Sequence, residues 1–218
     1  MKKVALFHTS SATLAMIQEL TAKFLPNVEI MHIIEDSMIK QVMKQGGPTP
    51  DINARIAAYV QNAERAGCEA FMTACSSIGH SVEQCQFMVN IPVTRIDEAM
   101  ANEAISLGPK VTVLATVETT LKPTLAFITK KAEQAGKQIT LRSILMSEAF
   151  VALLDGDSQT HDRIVAEGLK QALADSDVVV LAQASMARVL NGMQPPAIPV
   201  LTSPESGIKW LKSMLDKL

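Results

Sequence analysis

The chain has 218 residues, 48% hydrophobic and 19% charged, enough to bury one large core or two small ones. A net charge of −2 and 4% aromatic residues give neither a basic stripe nor a stacking surface, which argues against a nucleic-acid partner. The apolar run 4–7 is too short for a secretory signal or a membrane span. Three cysteines, at 68, 75 and 85, lack the spacing of a disulfide framework or zinc site and fit a reducing cytoplasm.

Val4-Ala5-Leu6-Phe7-His8 is a continuous apolar run of the kind found in parallel strands buried on both faces. A helix over 12–24 follows, with Leu14, Ile17 and Leu20 on one side and Pro26 past its end. Residues 28–34 read as a second strand and 38–44 as a short helix. The 45–50 segment, Gln-Gly-Gly-Pro-Thr-Pro, is a connecting loop or a lid. Asp51 is placed to cap a helix over 52–66, and Gly67 ends it. Residues 69–72 form a short buried strand, 81–89 a helix, 91–94 a strand and 96–107 a helix. The pattern then restarts. Strands are expected over 110–116, 138–144, 177–182 and 199–201. Helices are expected over 119–135, 147–154, 158–174, 187–190 and 204–218. Strands alternating with helices predict parallel sheets.

The second half resembles the first. Residues 3–9 align with 110–116 at an offset of 107, which also puts Thr13-Leu14 on Thr120-Leu121. At an offset of 108, Ala74-Cys75-Ser76-Ser77 falls on Ala182-Gln183-Ala184-Ser185. Such self-similarity fixes architecture. The expected fold is α/β: two similar lobes with parallel sheets, related by a pseudo-two-fold axis, with an active-site cleft between them. The lobes are 1–97 and 98–203, and the terminal helix 204–218 is a candidate to pack on the first. Thr9, Ser10, Cys75, Ser76 and Ser77 would line one wall of the cleft, and Thr116, Glu118, Thr119, Gln183, Ala184 and Ser185 the other.

Cys75 sits between a buried strand and a helix start, where free N–H groups attract anions and lower a thiol's pKa. The alternative is a small buried cysteine of no special chemistry. Cys68 and Cys85 read as buried and inert. The four histidines are scattered, with His8 kept only as a supporting residue near the site. No glycine fingerprint suggests a dinucleotide, no strand-end lysine suggests pyridoxal phosphate, and no residue set suggests a metal.

The paired lobes, the Ala74-Cys75-Ser76-Ser77 turn, the threonine-rich turn after the fifth strand and the matching turn after the seventh resemble the aspartate/glutamate racemase superfamily. That superfamily includes hydantoin racemases, maleate isomerases and arylmalonate decarboxylases. Glu35-Asp36-Ser37-Met38 and Gly46-Gly47-Pro48-Thr49 resemble stretches common among its members. The resemblance implies cofactor-independent chemistry, a small carboxylate substrate and a homodimer. It implies two cysteines, one per lobe, that deprotonate and reprotonate the substrate α-carbon. Cys75 matches the first, and Ser76, Ser77, Thr116 and Thr119 match carboxylate-binding positions. Gln183 stands where the second cysteine lies. An amide does not ionise near neutral pH and so cannot be the second base, though it can bind a carboxylate oxygen. Glu118 and Asp36 are ionisable groups near strand ends that could help, and each also reads as a helix-start carboxylate.

The function expected is a racemase- or isomerase-like enzyme that abstracts an α-proton from, or attacks, an amino acid or dicarboxylate, with Cys75 as base or nucleophile. The alternatives are a single-cysteine decarboxylase or lyase, and a non-catalytic carboxylate-binding protein on the same scaffold. In the family's decarboxylases the retained cysteine lies in the second lobe, the reverse of this chain.

Overall fold

The opening apolar run forms β1 (Lys2–His8), and its alternate side chains enter two cores. Ala5 and Phe7 lie in one, Val4 and Leu6 in the other. A strand covered on both faces has no polar side to alternate with, which is why the run is continuous. The computed structural model describes residues 1–191 and 193–218. They divide into two units, 1–98 with 204–218, and 99–203.

Unit 1 continues through α1 (Leu14–Phe24), β2 (Val28–Ile34), α2 (Asp36–Gln45), α3 (Pro50–Arg65), β3 (Ala70–Thr73), α4 (Gly79–Gln84) and β4 (Val93–Arg95). Its sheet is parallel, in the order β2-β1-β3-β4. Ala5, Phe7 and Phe71 meet Met38 and Val42 of α2 and Ile52, Ile56 and Val60 of α3. On the opposite face Val4, Leu6 and Met72 meet Ile17 of α1. Each such side chain, fully buried, contributes about 1.5–3 kcal/mol.

Unit 2 contains α5 (Glu98–Leu107), β5 (Lys110–Ala115), α6 (Glu118–Gln134), β6 (Thr140–Leu145), α7 (Ser147–Leu154), α8 (Ser158–Leu173), β7 (Val178–Leu181) and β8 (Val200–Thr202). The strand order β6-β5-β7-β8 repeats that of unit 1, again all parallel. Val111, Val113, Val178 and Val180 pack with α5 and α6, and Leu114, Val179 and Leu181 with α7 and α8.

The final helix, α9 (Ser203–Leu215), returns to unit 1, where Ile208, Leu211 and Leu215 complete the core of Val4 and Leu6. It comes very close to the backbone after β4. A Cβ built on Gly207 would lie 2.2 Å from the Ile96 carbonyl oxygen, so only glycine fits.

The repeat seen in the sequence extends to the hydrogen-bond frame. Ala74 N–H donates to Phe7 O at 2.8 Å, and Ala182 N–H to Leu114 O at 3.0 Å. Phe71 N–H donates to Pro92 O and Val179 N–H to Pro199 O, both at 2.9 Å.

Three expectations about helices are corrected. Thr49, not Asp51, caps α3, through a 3.5 Å bond from Ile52 N–H, and Pro50 takes the first helical position that its fixed φ suits. The helix expected over 81–89 is α4 followed by a 3₁₀ turn over Cys85–Met88. The one expected over 187–190 is a 3₁₀ helix over Ala184–Leu190. Among the described residues, no helix is long and apolar enough to cross a membrane.

Candidate active site

In unit 1 the site residues gather at the carboxyl ends of β1 and β3. Cys75 N–H donates to Thr73 Oγ1 at 3.1 Å, which holds Cys75 extended at φ −125° and ψ 111°. A 3₁₀ turn over Ser76–Ile78 follows directly, with all three residues buried. Thr9, buried after β1, and Ser77 direct their hydroxyls to the Cys75 sulfur, as Ser77 and Ile78 direct their N–H groups. Ser10 instead caps the 3₁₀ turn over Ser11–Thr13, accepting from Ala12 N–H at 3.2 Å.

This arrangement reverses the expectation of a lowered thiol pKa. Burial pushes the Cys75 thiol up, and the four hydrogen-bonding groups only partly oppose it. Cys75 keeps some open surface, but protein atoms crowd the sulfur itself, so loss of solvent dominates. The expected helix-start effect is also small, because the three residues after Cys75 form a 3₁₀ turn and α4 has only six residues. Cys68 and Cys85 are buried, as expected.

His8 lies beneath Thr9 and is 1% exposed, with Nε2 3.1 Å from His32 Nδ1. Burial, and then the neighbouring imidazole, lower its pKa to about 4. At the end of β2, Glu35 accepts from Ser37 Oγ at 2.5 Å, Arg55 Nη1 at 2.9 Å and Tyr59 OH at 3.3 Å. The Ser37 hydrogen bond leads in holding the Glu35 carboxyl below its usual range.

Sequence reasoning missed the support beneath the Cys75 turn. Arg95 at the end of β4 and Asp97 just beyond it are 1% and 0% exposed. Arg95 Nε and Nη2 bond the two Asp97 oxygens at 2.6 and 2.8 Å. Burial works against the charge on Asp97, but the guanidinium outweighs it and holds the carboxyl below its ordinary value, with help from the Ser76 hydroxyl. The available signal was an Arg-x-Asp spacing at the exit of a short apolar strand.

In unit 2 the corresponding groups gather at the ends of β5 and β7. Gln183 is extended at φ −126° and ψ 139°, a backbone conformation like that of Cys75. Its amide oxygen accepts from Thr116 N–H at 2.6 Å and Thr116 Oγ1 at 3.0 Å. A backbone N–H can only donate, so the atom facing it is the oxygen and the NH2 group points elsewhere. Ala184 and Ser185 open the 3₁₀ helix and are half-buried. Thr119 is the second residue of α6, and its Oγ1 is buried with no partner among the described residues. Glu118, in the first turn of α6, pairs with Lys122 at 2.9 Å. Asp36 occupies the first turn of α2. Behind the turn, Arg188 Nε bonds Asp162 Oδ1 at 2.7 Å, and Asp162 also lies 2.7 Å from His161 Nδ1. Among the described residues, no group of three His, Cys, Asp or Glu side chains could hold a metal ion.

The model of the Asp/Glu/Hydantoin racemase family matches residues 7–210, and the chain belongs to that family. No curated protein matches the sequence. Among solved structures, an aspartate racemase from Picrophilus torridus superposes with a TM-score of 0.72 at 15% identity, covering 99% of this chain and 95% of that one. An allantoin racemase from Klebsiella pneumoniae gives 0.65 at 17% identity, covering 100% and 89%. A variant arylmalonate decarboxylase gives 0.61 at 16% identity, covering 99% and 93%. The two-unit α/β fold is therefore that of racemases, and the chain is a racemase-type enzyme.

Proposed function

We propose that this enzyme works at the carbon beside the carboxylate of a small acid, an amino acid or a dicarboxylate, with Cys75 as the reacting thiol. One observation carries the reading: in a racemase-family chain, a free cysteine at a strand end meets two backbone N–H groups and two hydroxyls. As thiolate, Cys75 takes the α-proton and the C–H electron pair moves into the carboxylate, giving an enediolate. The thiol then returns the proton. Return to the same face retains configuration, and racemisation needs a second donor at the other face. Gln183 cannot be that donor, because its amide does not ionise near neutral pH. Ser76, Ser77, Thr116 and Thr119 are proposed to bind the carboxylate, with Thr9, Ser10, Gln183, Ala184 and Ser185 as further substrate contacts. The protein is proposed to be a cytoplasmic homodimer; sedimentation at micromolar concentration tests the dimer.

The buried thiol favours a second reading, a one-cysteine decarboxylase. A raised pKa keeps Cys75 as S–H at neutral pH, the form a proton donor needs. Carbon dioxide leaves, its bonding pair stays on the carbon, Cys75 delivers its proton there, and water reprotonates the sulfur.

The test is α-proton exchange in deuterium oxide, followed by NMR over amino acids, hydroxy acids and dicarboxylates. Exchange with loss of optical rotation supports racemisation. Exchange with rotation retained, or release of carbon dioxide, supports chemistry at one face. Tight carboxylate binding with neither would overturn catalysis in favour of a binding protein.

A further inference from the structure

Asp97 meets one of the residues proposed to bind substrate, Ser76, and both charges of the Arg95–Asp97 pair are wholly buried. A buried ion pair is often no more stable than apolar side chains of the same volume, so stability alone does not account for it. Its position does. Arg95 is register-paired with Thr73, the residue whose hydroxyl holds Cys75 N–H, and Ile96 N–H donates to Thr73 O at 2.9 Å. Two guanidinium nitrogens bind Asp97, and Nη1 lies 3.5 Å from Glu83 Oε2 on α4. The guanidinium also lies against Gly79, the first residue of α4. A Cβ built there would fall 2.4 Å from Arg95 Cζ, so the side chain fills the space where any larger residue would begin. Arg95 thus joins the end of β4 to the first turn of α4. Ser76–Ile78 is the only chain between Cys75 and that turn.

We propose that Arg95, held by Asp97, is a positioning residue that fixes the 76–78 turn and so aims the Ser77 and Ile78 N–H groups at the Cys75 sulfur. The inference rests on the reading of Cys75 as the reacting thiol. Arg95 acts through the backbone and does not touch substrate.

The test replaces the pair by apolar side chains, Arg95→Met with Asp97→Leu, which leaves no charge unpaired. The folded protein is alkylated with iodoacetamide over a range of pH, the rate at Cys75 being read by mass spectrometry of the peptide released by digestion afterwards, together with amide exchange at Ser77 and Ile78. The midpoint should rise by about one pH unit, roughly a tenfold loss of thiolate at a given pH below it. Exchange at the two amides should quicken about tenfold, with cooperative unfolding retained. Gly79→Ala, which displaces the guanidinium but keeps the pair, should shift both readouts the same way and by less. A folded double variant with unchanged midpoint and exchange overturns the proposal. If the double variant does not fold, Arg95→Lys and Gly79→Ala decide it, and unchanged profiles in both overturn it. Turnover by Cys75→Ser is a separate readout. Full activity there removes Cys75 from the reaction while the alkylation profile still judges the positioning. Lost activity there with unchanged Arg95 profiles removes only the positioning.

Discussion

The turns after β3 and β7 share one backbone and differ in what it holds. Cys75 and Gln183 have nearly the same extended conformation, and each bonds the threonine after the neighbouring strand, Thr9 or Thr116. In unit 1 the threonine helps to hold a group that can ionise. In unit 2 it fixes an amide that cannot. The supports differ as well. At an offset of 107, Arg95 corresponds to Thr202 and Asp97 to Pro204, so unit 2 has no buried ion pair at that place. Its turn is tied instead by Arg188 and Asp162, whose side chains are 36% and 37% exposed. One skeleton thus carries a titrating turn with buried charges behind it and a neutral turn tied at the surface.

The largest expected effect separates the two turns by activity. Cys75→Ser should fold normally and lose turnover by at least about 10³-fold, because a hydroxyl without an activating base is a far weaker acid and base than a thiol. Gln183→Cys should make the turns alike and add loss of optical rotation to any exchange. Full activity in the first variant would end the asymmetry between the turns.

The supports should separate in urea unfolding. Arg95→Met alone leaves Asp97 buried and unpaired and should cost about 3–5 kcal/mol. Arg188→Met removes a half-exposed pair and should cost about 1 kcal/mol or less. Equal costs would show that the two ties do the same work.

Thr116→Val removes the hydroxyl that holds the Gln183 oxygen but keeps the backbone N–H. Stability should fall by about 1 kcal/mol, as urea unfolding would show, and turnover several-fold. An effect as large as that of Cys75→Ser would mean that Gln183 is more than a fixed donor.

The pH dependence of kcat/KM reads the sign of the Cys75 role. Burial raises its thiol pKa, so an enzyme using thiolate as base should gain activity as pH rises through that value. One using the thiol as acid should lose activity over the same range. A profile flat through thiol titration would exclude both.

A further pH effect concerns His8, which stands where unit 2 has Ala115. Its pKa falls from 6.5 to about 4 on folding. Between those values the unfolded chain binds a proton that folded His8 refuses, so stability drops as pH falls, by up to about 3 kcal/mol. His8→Ala should be less stable at pH 7 but should lose less between pH 7 and 4.5 in urea unfolding. Parallel losses would show that His8 does not titrate as described.

The alternation of strands and helices, the repeat and the grouping of Thr9, Cys75, Ser76 and Ser77 were legible because they depend on local runs and on order along the chain. The thiol's pKa was not. Sequence places Cys75 before a helix, but the turn that follows is 3₁₀ and the desolvation comes from burial in the folded chain, which no local spacing reports. Arg95 was hidden for a related reason. Its meaning lies in Gly79 and Asp97 on either side of the guanidinium, and no spacing rule joins a strand-end arginine to a glycine sixteen residues earlier.

The close approach of Gly207 to Ile96 sets an order on folding. Ile96 is the peptide link between Arg95 and Asp97, and α9, which covers it, follows all of unit 2 in the chain. Unit 2 is continuous and can complete both of its cores as it leaves the ribosome. Unit 1 starts first but lacks Ile208, Leu211 and Leu215 until α9 emerges. A chain ending at Thr202 is therefore expected to keep slow hydrogen exchange in β5 and β7 and to lose it in β1; equal protection in all three strands would refute this order. The half of the protein that holds the thiol is begun first in synthesis and finished last, because one of its two cores waits for α9.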